Sequence, residues 1–411
     1  MEMLRYPIIA LAAAWLLGAV FTRLLLPYLE KKQFKQFVRE VGPQSHLSKT
    51  GTPSMGGLAI IGATVLCAAI VGAISGVADV WHLTAILLVM VLFGLIGFID
   101  DYEKAIKKNN AGISPKQKLV LQFVFSGAFA VYAYANSGFG TVAGSAVWIP
   151  IADRYIDFGI LYIPFVIFVM IAFSNAVNLT DGLDGLASGV TALVAFCMVI
   201  LGVGAYPMLT AAPVVYGAVA GACLGFLMYN RNPARIFMGD GGSLFLGFML
   251  STMSILGPVK SATIVAVIIP VLVLGVPIFD TAFAIFRRLV NKRPIMEADK
   301  GHLHHRLMKL GYGQRRATLM LYGVSGIMGI SSVTFSRGLW VETLGLFAIA
   351  LMLIYIFLTD ANHIMPQIKN PEAYPAVKQG EMPKGKEDCH GDQSCTDQHD
   401  RAGTGGRAAD Q

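Results

Sequence analysis

The chain has 411 residues, 55% of them hydrophobic and only 14% charged, with a net charge of +7. A soluble domain averages about 25% charged residues, so this composition excludes an ordinary water-soluble enzyme. The apolar residues come in runs near the ~20 needed to cross a bilayer as a helix, without the alternation of a membrane barrel. Lipid offers backbone groups no partners, so the spans are predicted to be helices.

In chain order, about eleven spans are expected, at 6–27, 55–77, 82–99, 119–136, 159–176, 187–204, 211–228, 242–258, 261–286, 317–336 and 339–358. The first run is too long for a secretory leader and lacks a small-residue cleavage site, so it reads as a span. Five longer or more polar loops share one side, at 28–54, 100–118, 177–186, 229–241 and 287–316, and hold 21 Lys and Arg. The opposite side holds four, Arg5, Arg154, Lys260 and Arg337. Basic loops stay inside, so the five are expected to be cytoplasmic, with the N-terminus outside and the C-terminus inside. The excess positive charge belongs to these loops, and no nucleic-acid partner is expected. Residues 1–358 are expected to form one integral membrane domain. The polar segment 359–411, poor in large apolar residues, is expected to be a disordered tail. Cys67, Cys197 and Cys223 read as small core residues. Cys389 and Cys395, with His390 and His399 nearby, match no standard zinc spacing.

The five loops carry the chemistry. The first contains His46-Leu-Ser-Lys49-Thr-Gly51-Thr-Pro53-Ser-Met55-Gly56-Gly57, where glycines permit close backbone approach and Lys49 offers a point charge for an anion. On its own it equally suits contact with anionic lipid. The second opens with Asp100-Asp101 directly after an apolar run, followed by Lys104, Lys107 and Lys108. Adjacent acids repel, so a cation or a lysine must compensate. The third reads Asn175-Ala-Val-Asn178-Leu179-Thr180-Asp181-Gly-Leu-Asp184-Gly. On a helix, Asp181 and Asp184 would share one face and suit a divalent cation, a sugar or a nucleotide. The plain alternative is a helix start with Thr180 as its cap. The fourth runs from Asn230 to Ser243 and sets Asp240 among glycines. Gly241 and Gly242 offer N–H groups to an anion at a helix start, or form a simple turn. The fifth holds Asp299-Lys300-Gly301-His302-Leu303-His304-His305-Arg306, whose histidines suit a diphosphate or sugar better than zinc. Asp280 lies inside the ninth span, seven residues before Arg287, about two turns below the boundary.

All five clusters fall on one membrane face. They supply acids for Mg²⁺, with Mn²⁺ as an alternative, basic groups for phosphate, and apolar helices for a lipid tail. A reaction between a soluble diphosphate-bearing donor and a membrane acceptor follows. A secondary transporter is the rival reading, but transporter sites sit near the bilayer midplane, whereas these acids lie at the boundary.

At these motifs the sequence resembles the polyprenyl-phosphate N-acetylhexosamine-1-phosphate transferases (glycosyltransferase family 4), over residues 1–358. His46 to Gly57, and Asp100-Asp101-Tyr-Glu-Lys104 through Ser114-Pro115-Lys116-Gln117-Lys118, look like the phospho-MurNAc-pentapeptide translocases. Gly275-Val-Pro277-Ile-Phe279-Asp280-Thr281 and Asp299 through Arg306 look like the undecaprenyl-phosphate GlcNAc-1-phosphate transferases. The translocases usually carry Pro-x-His-His-His where this chain has His-Leu-His-His. The resemblance therefore implies transfer of GlcNAc-1-phosphate from UDP-GlcNAc to undecaprenyl phosphate, releasing UMP and starting an envelope glycan such as teichoic acid or O-antigen. Transfer of phospho-MurNAc-pentapeptide, forming lipid I, is the alternative. It also implies a Mg²⁺ site at Asp240, with Asp100 and Asp101 serving the metal and the lipid phosphate. Asn178, Leu179, Asp181 and Asp184 would line the uridine pocket, with Asn230, Phe237, Gly239 and Lys108 nearby. Lys49 would hold phosphate, and His302, His304 and His305 would meet the donor's diphosphate or sugar. A bacterial plasma-membrane location and a homodimer are further expectations of the resemblance.

Overall fold

The structure is a computed structural model that describes residues 2–32, 51–76, 80–107, 112–135, 145–149, 154–205, 211–256, 307 and 312–368. Among these are ten α-helices: α1 (Glu2–Lys31), α2 (Gly57–Ser75), α3 (Val80–Lys107), α4 (Pro115–Ala135), α5 (Tyr162–Thr180), α6 (Leu186–Ala205), α7 (Ala211–Asn230), α8 (Gly239–Leu256), α9 (Gln314–Ser336) and α10 (Trp340–Ile368). Each overlaps one expected span. The remaining one, 261–286 with Asp280, lies outside the described residues. Seven helices are long and apolar enough to cross a membrane by length and composition, and the chain is an all-α polytopic membrane protein.

One element was not anticipated. Between α4 and α5, β1 (Ala146–Ile149) pairs antiparallel with β2 (Arg154–Asp157), Ala146 opposite Asp157 and Ile149 opposite Arg154. The short stretches Ala146-Val-Trp-Ile149 and Arg154-Tyr-Ile-Asp157 are rich in β-branched and aromatic residues, which suit strands. They are too brief to register against 20-residue runs.

Small residues set the helix spacing. Gly217, Gly221 and Gly225 recur every fourth residue on α7, and a Cβ at any of them would run into the α1 backbone between Pro7 and Ala19. This is the close, small-residue packing that holds helices together in lipid. At the site end, Gly97 lets α3 approach the first turn of α8 so closely that a Cβ there would strike the Asp240 carbonyl. Phe93 of α3 stacks on Phe248 of α8, ring centroids 3.7 Å apart, and both are fully buried. The segment Pro53–Gly57 clasps the residues leading into α8. Gly56 and Gly57 donate to the carbonyls of Phe237 and Met238 at 2.9 and 2.8 Å, and Phe237 N–H donates to Pro53 O at 2.9 Å.

Met1–Pro366 form one compact unit, and Gln367–Gln411 form a second segment.

Candidate active site

The apolar part of α3 ends at Ile99, but the helix continues to Lys107. The doublet predicted to open a loop is therefore helical, with Asp100 and Lys104 one turn apart on the same face. Asp100 and Asp101 are buried at 3% and 7% exposure. Asp240 joins them from the first turn of α8. Carboxylate oxygens of the three residues all lie within 4.8 Å of one another.

Such crowding needs positive charge. Lys104 Nζ lies 2.7 Å from Asp100 Oδ2 and 2.8 Å from Asp240 Oδ2. Lys118, on the first turn of α4, lies 2.7 Å from Asp240 Oδ2 and 3.5 Å from Asp100 Oδ2. Two ammonium groups thus face three carboxyl groups, one fewer cation than acids. Backbone and amide donors complete the cluster. Gly241 N–H reaches Asp101 Oδ2 at 3.0 Å and Ile113 N–H reaches Asp100 Oδ1 at 2.8 Å. Asn178 Nδ2 donates to Asp240 Oδ1 and to Ser243 Oγ, both at 2.8 Å. The anion seat expected at Gly241 is taken by the chain's own Asp101. Gly239, in the left-handed region at φ +77°, has the Asp101 carboxylate so close that a side chain there would meet it.

Burial acts against every charge in the cluster, and the neighbours decide the outcome. Burial, reinforced by the nearby Asp240 charge, pushes the Asp101 carboxyl up to about 7. Asp100 is raised by burial and then by Asp240. Burial also opposes ionisation of Asp240, but the Asp100 hydrogen bond and the Lys118 and Lys104 charges prevail and hold it well below the usual carboxylate range. Lys104 is disfavoured as a cation by burial and yet raised by Asp240, Asp100 and Asp101. The cluster thus offers one firmly ionised carboxylate, Asp240, beside two that ionise more fully when a further cation arrives.

The third loop differs from both sequence readings. Thr180 closes α5 rather than opening a helix, and Asp181 caps that end with its N–H on Asn178 O at 3.3 Å. Residues 181–185 form a turn before α6, so Asp181 and Asp184 do not share a helix face. The glycine at 185 makes the break possible, with φ +79°. Asp184 is buried and its Oδ2 accepts from Asn232 Nδ2 at 2.9 Å and Ala234 N–H at 3.2 Å. Tyr322 of α9 donates its hydroxyl to Gly185 O at 2.5 Å. Asn230, 1% exposed, spends its carboxamide inside the protein: Ser188 Oγ donates to Oδ1 at 3.1 Å and Nδ2 donates to Ile236 O at 2.8 Å. It holds the 231–238 loop that carries Phe237. Leu179 is 41% exposed. Asn178 is thus brought to the carboxylates, while Asp184 and Asn230 brace the adjoining loops. Lys49, Lys108, His302, His304 and His305 lie outside the described residues. Lys104, Lys118 and Ser243 belong to the cluster although they were not among the expected site residues. The signal for Lys104 was its i, i+4 spacing from Asp100.

The profile of glycosyl transferase family 4 matches residues 83–258, and a phospho-N-acetylmuramoyl-pentapeptide-transferase signature matches residues 49–61. Phospho-N-acetylmuramoyl-pentapeptide-transferases of Bacillus thuringiensis (strain Al Hakam) and Bacillus cereus (strain AH187) are each 35% identical over 340 residues, 81% of this chain and 98% of the relative. The chain belongs to glycosyl transferase family 4. Within it, the protein is a polyprenyl-phosphate phospho-sugar transferase, a membrane phosphotransferase. The family depends on a divalent cation in general, and Asp100, Asp101 and Asp240 fit one: three clustered carboxylates are the hard oxygen donors such ions take. The glycosyl transferase 4 profile spans α3 to α8, the elements that build this cluster.

Proposed function

We propose that the protein transfers phospho-N-acetylmuramoyl-pentapeptide from its UDP-linked donor to undecaprenyl phosphate, releasing UMP and forming lipid I. The observation that carries this donor is the likeness to phospho-N-acetylmuramoyl-pentapeptide-transferases over 98% of their length, joined by their signature at residues 49–61. It takes the place of UDP-GlcNAc, which the His-Leu-His-His loop had suggested. That loop is one short stretch, and the likeness extends over 340 residues.

In this reading Asp240, Asp100 and Asp101 would hold Mg²⁺, and the bound ion would supply charge compensation for the donor's diphosphate. Phosphoryl transfer asks for positioning and charge compensation more than for covalent chemistry. Lys104 and Lys118, which span the carboxylates, offer positive charge to phosphate oxygens at the rim of the cluster. Asn178 keeps Asp240 aimed from the side. Asp181, Asp184, Leu179, Phe237 and Gly239 bound the uridine end, Asn230 braces it, Lys49 and Lys108 meet phosphate, and His302, His304 and His305 meet the diphosphate or sugar. The acceptor's phosphate monoester is already anionic at neutral pH, so it attacks directly when oriented. The site faces the cytoplasm of a bacterial plasma membrane, where a UDP-linked donor is made. The polar tail outside the transferase domain starts after Ile368 and not at 359, because α10 carries the helical chain through 359–368.

The test is a donor comparison on purified protein with Mg²⁺ and undecaprenyl phosphate. UDP-MurNAc-pentapeptide is expected to release UMP, and UDP-GlcNAc to release little. UMP from UDP-GlcNAc alone would reverse the donor, and UMP from neither would end the enzyme reading.

A further inference from the structure

Directly beneath the carboxylate cluster, inside the membrane portion, lies a polar pair that the proposed chemistry does not use. Gln122 sits one turn below Lys118 on α4, and Asn175 one turn below Asn178 on α5. Asn175 Nδ2 donates to Gln122 Oε1 at 2.9 Å and to Ile171 O at 2.8 Å. Gln122 is 1% exposed, and its Nε2 is buried with no hydrogen-bond partner. The next polar residue down that face, Ser126, is satisfied by the Gln122 carbonyl at 2.6 Å and does not reach the amide nitrogen.

The two layers match. In the upper layer, α4 sends Lys118 to Oδ2 of Asp240 and α5 sends Asn178 to Oδ1 of the same carboxylate. In the lower layer, the same two antiparallel helices are tied side chain to side chain by Gln122 and Asn175. A helix turns as a rigid unit over one turn, so the lower tie sets the rotational phase at which Lys118 and Asn178 arrive. A buried donor left unpaired costs free energy, and here that cost falls on a carboxamide that stability alone does not require.

We propose that Gln122 is a positioning residue: through Asn175 it holds α4 and α5 in the phase that seats Lys118 and Asn178 on the two oxygens of Asp240. This rests on the transferase reading for its kinetic arm, but not for its binding arm. Groups that orient ligating residues typically change metal affinity or activity by about 10- to 100-fold when removed.

The test uses the full-length protein and Gln122→Met, which matches the side chain's length, removes the orphaned donor and leaves Asn175 Nδ2 its bond to Ile171 O. Three results are expected together. The midpoint of thermal unfolding stays at or above wild type, kcat falls about tenfold with the donor KM unchanged, and the stabilisation conferred by Mn²⁺ in thermal shift shrinks, its half-saturating concentration rising about tenfold. Gln122→Glu keeps an acceptor for Asn175 and restores both kcat and Mn²⁺ response to within about threefold of wild type. A Gln122→Met protein that is less stable or does not fold assigns Gln122 a purely structural role and overturns the proposal. So does wild-type kcat together with a wild-type Mn²⁺ response. An inactive wild type that still binds Mn²⁺ removes the transferase reading, and the Mn²⁺ arm then decides the positioning role alone.

Discussion

Asp240 draws three donors to its two oxygens, Lys104 and Lys118 on Oδ2 and Asn178 on Oδ1. Its ionised form is therefore prepared before any cation arrives. Asp240→Asn removes the one carboxylate held firmly charged, and transfer is expected to fall at least ~100-fold while the protein still folds. Activity of purified variant and wild type, with circular dichroism as the folding check, tests this. Asp101 behaves in the opposite way. Its carboxyl titrates near 7, raised by burial and then by Asp240, so below that pH a cation must displace a proton to use it. Apparent cation affinity is expected to fall about tenfold for each pH unit below 7 and to level off above it. Calorimetric titration with Mn²⁺ at pH 6, 7 and 8, in buffers of different ionisation enthalpy, reads both the affinity and the proton released. A flat profile would mean that Asp101 stays outside the metal site.

At the scale of elements, the site is a junction of α3, α4, α5 and α8, each contributing near its boundary end. The closeness of α3 to α8 depends on Gly97, because any side chain there strikes the Asp240 backbone. Overpacking at such a contact costs about 1–3 kcal/mol. Gly97→Val is therefore expected to lower the unfolding midpoint and to reduce transfer more than tenfold, because Asp240 moves relative to Asp100 and Asp101. A variant that is destabilised but fully active would detach helix spacing from the chemistry. The turn at 181–185 is held from two directions, by Asn232 and Ala234 on Asp184 and by Tyr322 on Gly185. It is thus a braced loop on rigid helices, an arrangement suited to recognition.

At the scale of the molecule, nearly all described structure lies in Met1–Pro366, and the cluster draws on residues 100–243. A chain ended after Ile368 is expected to keep transfer activity within about twofold, since no residue of the proposed site lies beyond it. Activity of that truncation in membranes, normalised to protein amount, gives the result; a large loss would place the tail within the functional domain.

The sequence by itself determined the class of solvent, the helical state of the spans and the residue types of the site. Apolar runs of bilayer length leave few alternatives, and acids at their ends stand out because charge is costly there. It also put Asp100, Asp101 and Asp240 in one metal set, by resemblance, and all three converge. Local pattern misjudged Thr180, Asp181 and Asp184, because a helix end and a helix start share Thr, Asp and Gly, and only the path of the chain after Gly185 separates them. It named Lys104 with Lys107 and Lys108 as possible partners of the acid doublet without choosing among them, and it took Lys118 only as the end of a motif. Which lysine neutralises which carboxylate depends on distances between helices far apart in the chain. Those distances are set by glycines and stacked aromatics at the α3–α8 contact, and only packing in three dimensions decides them.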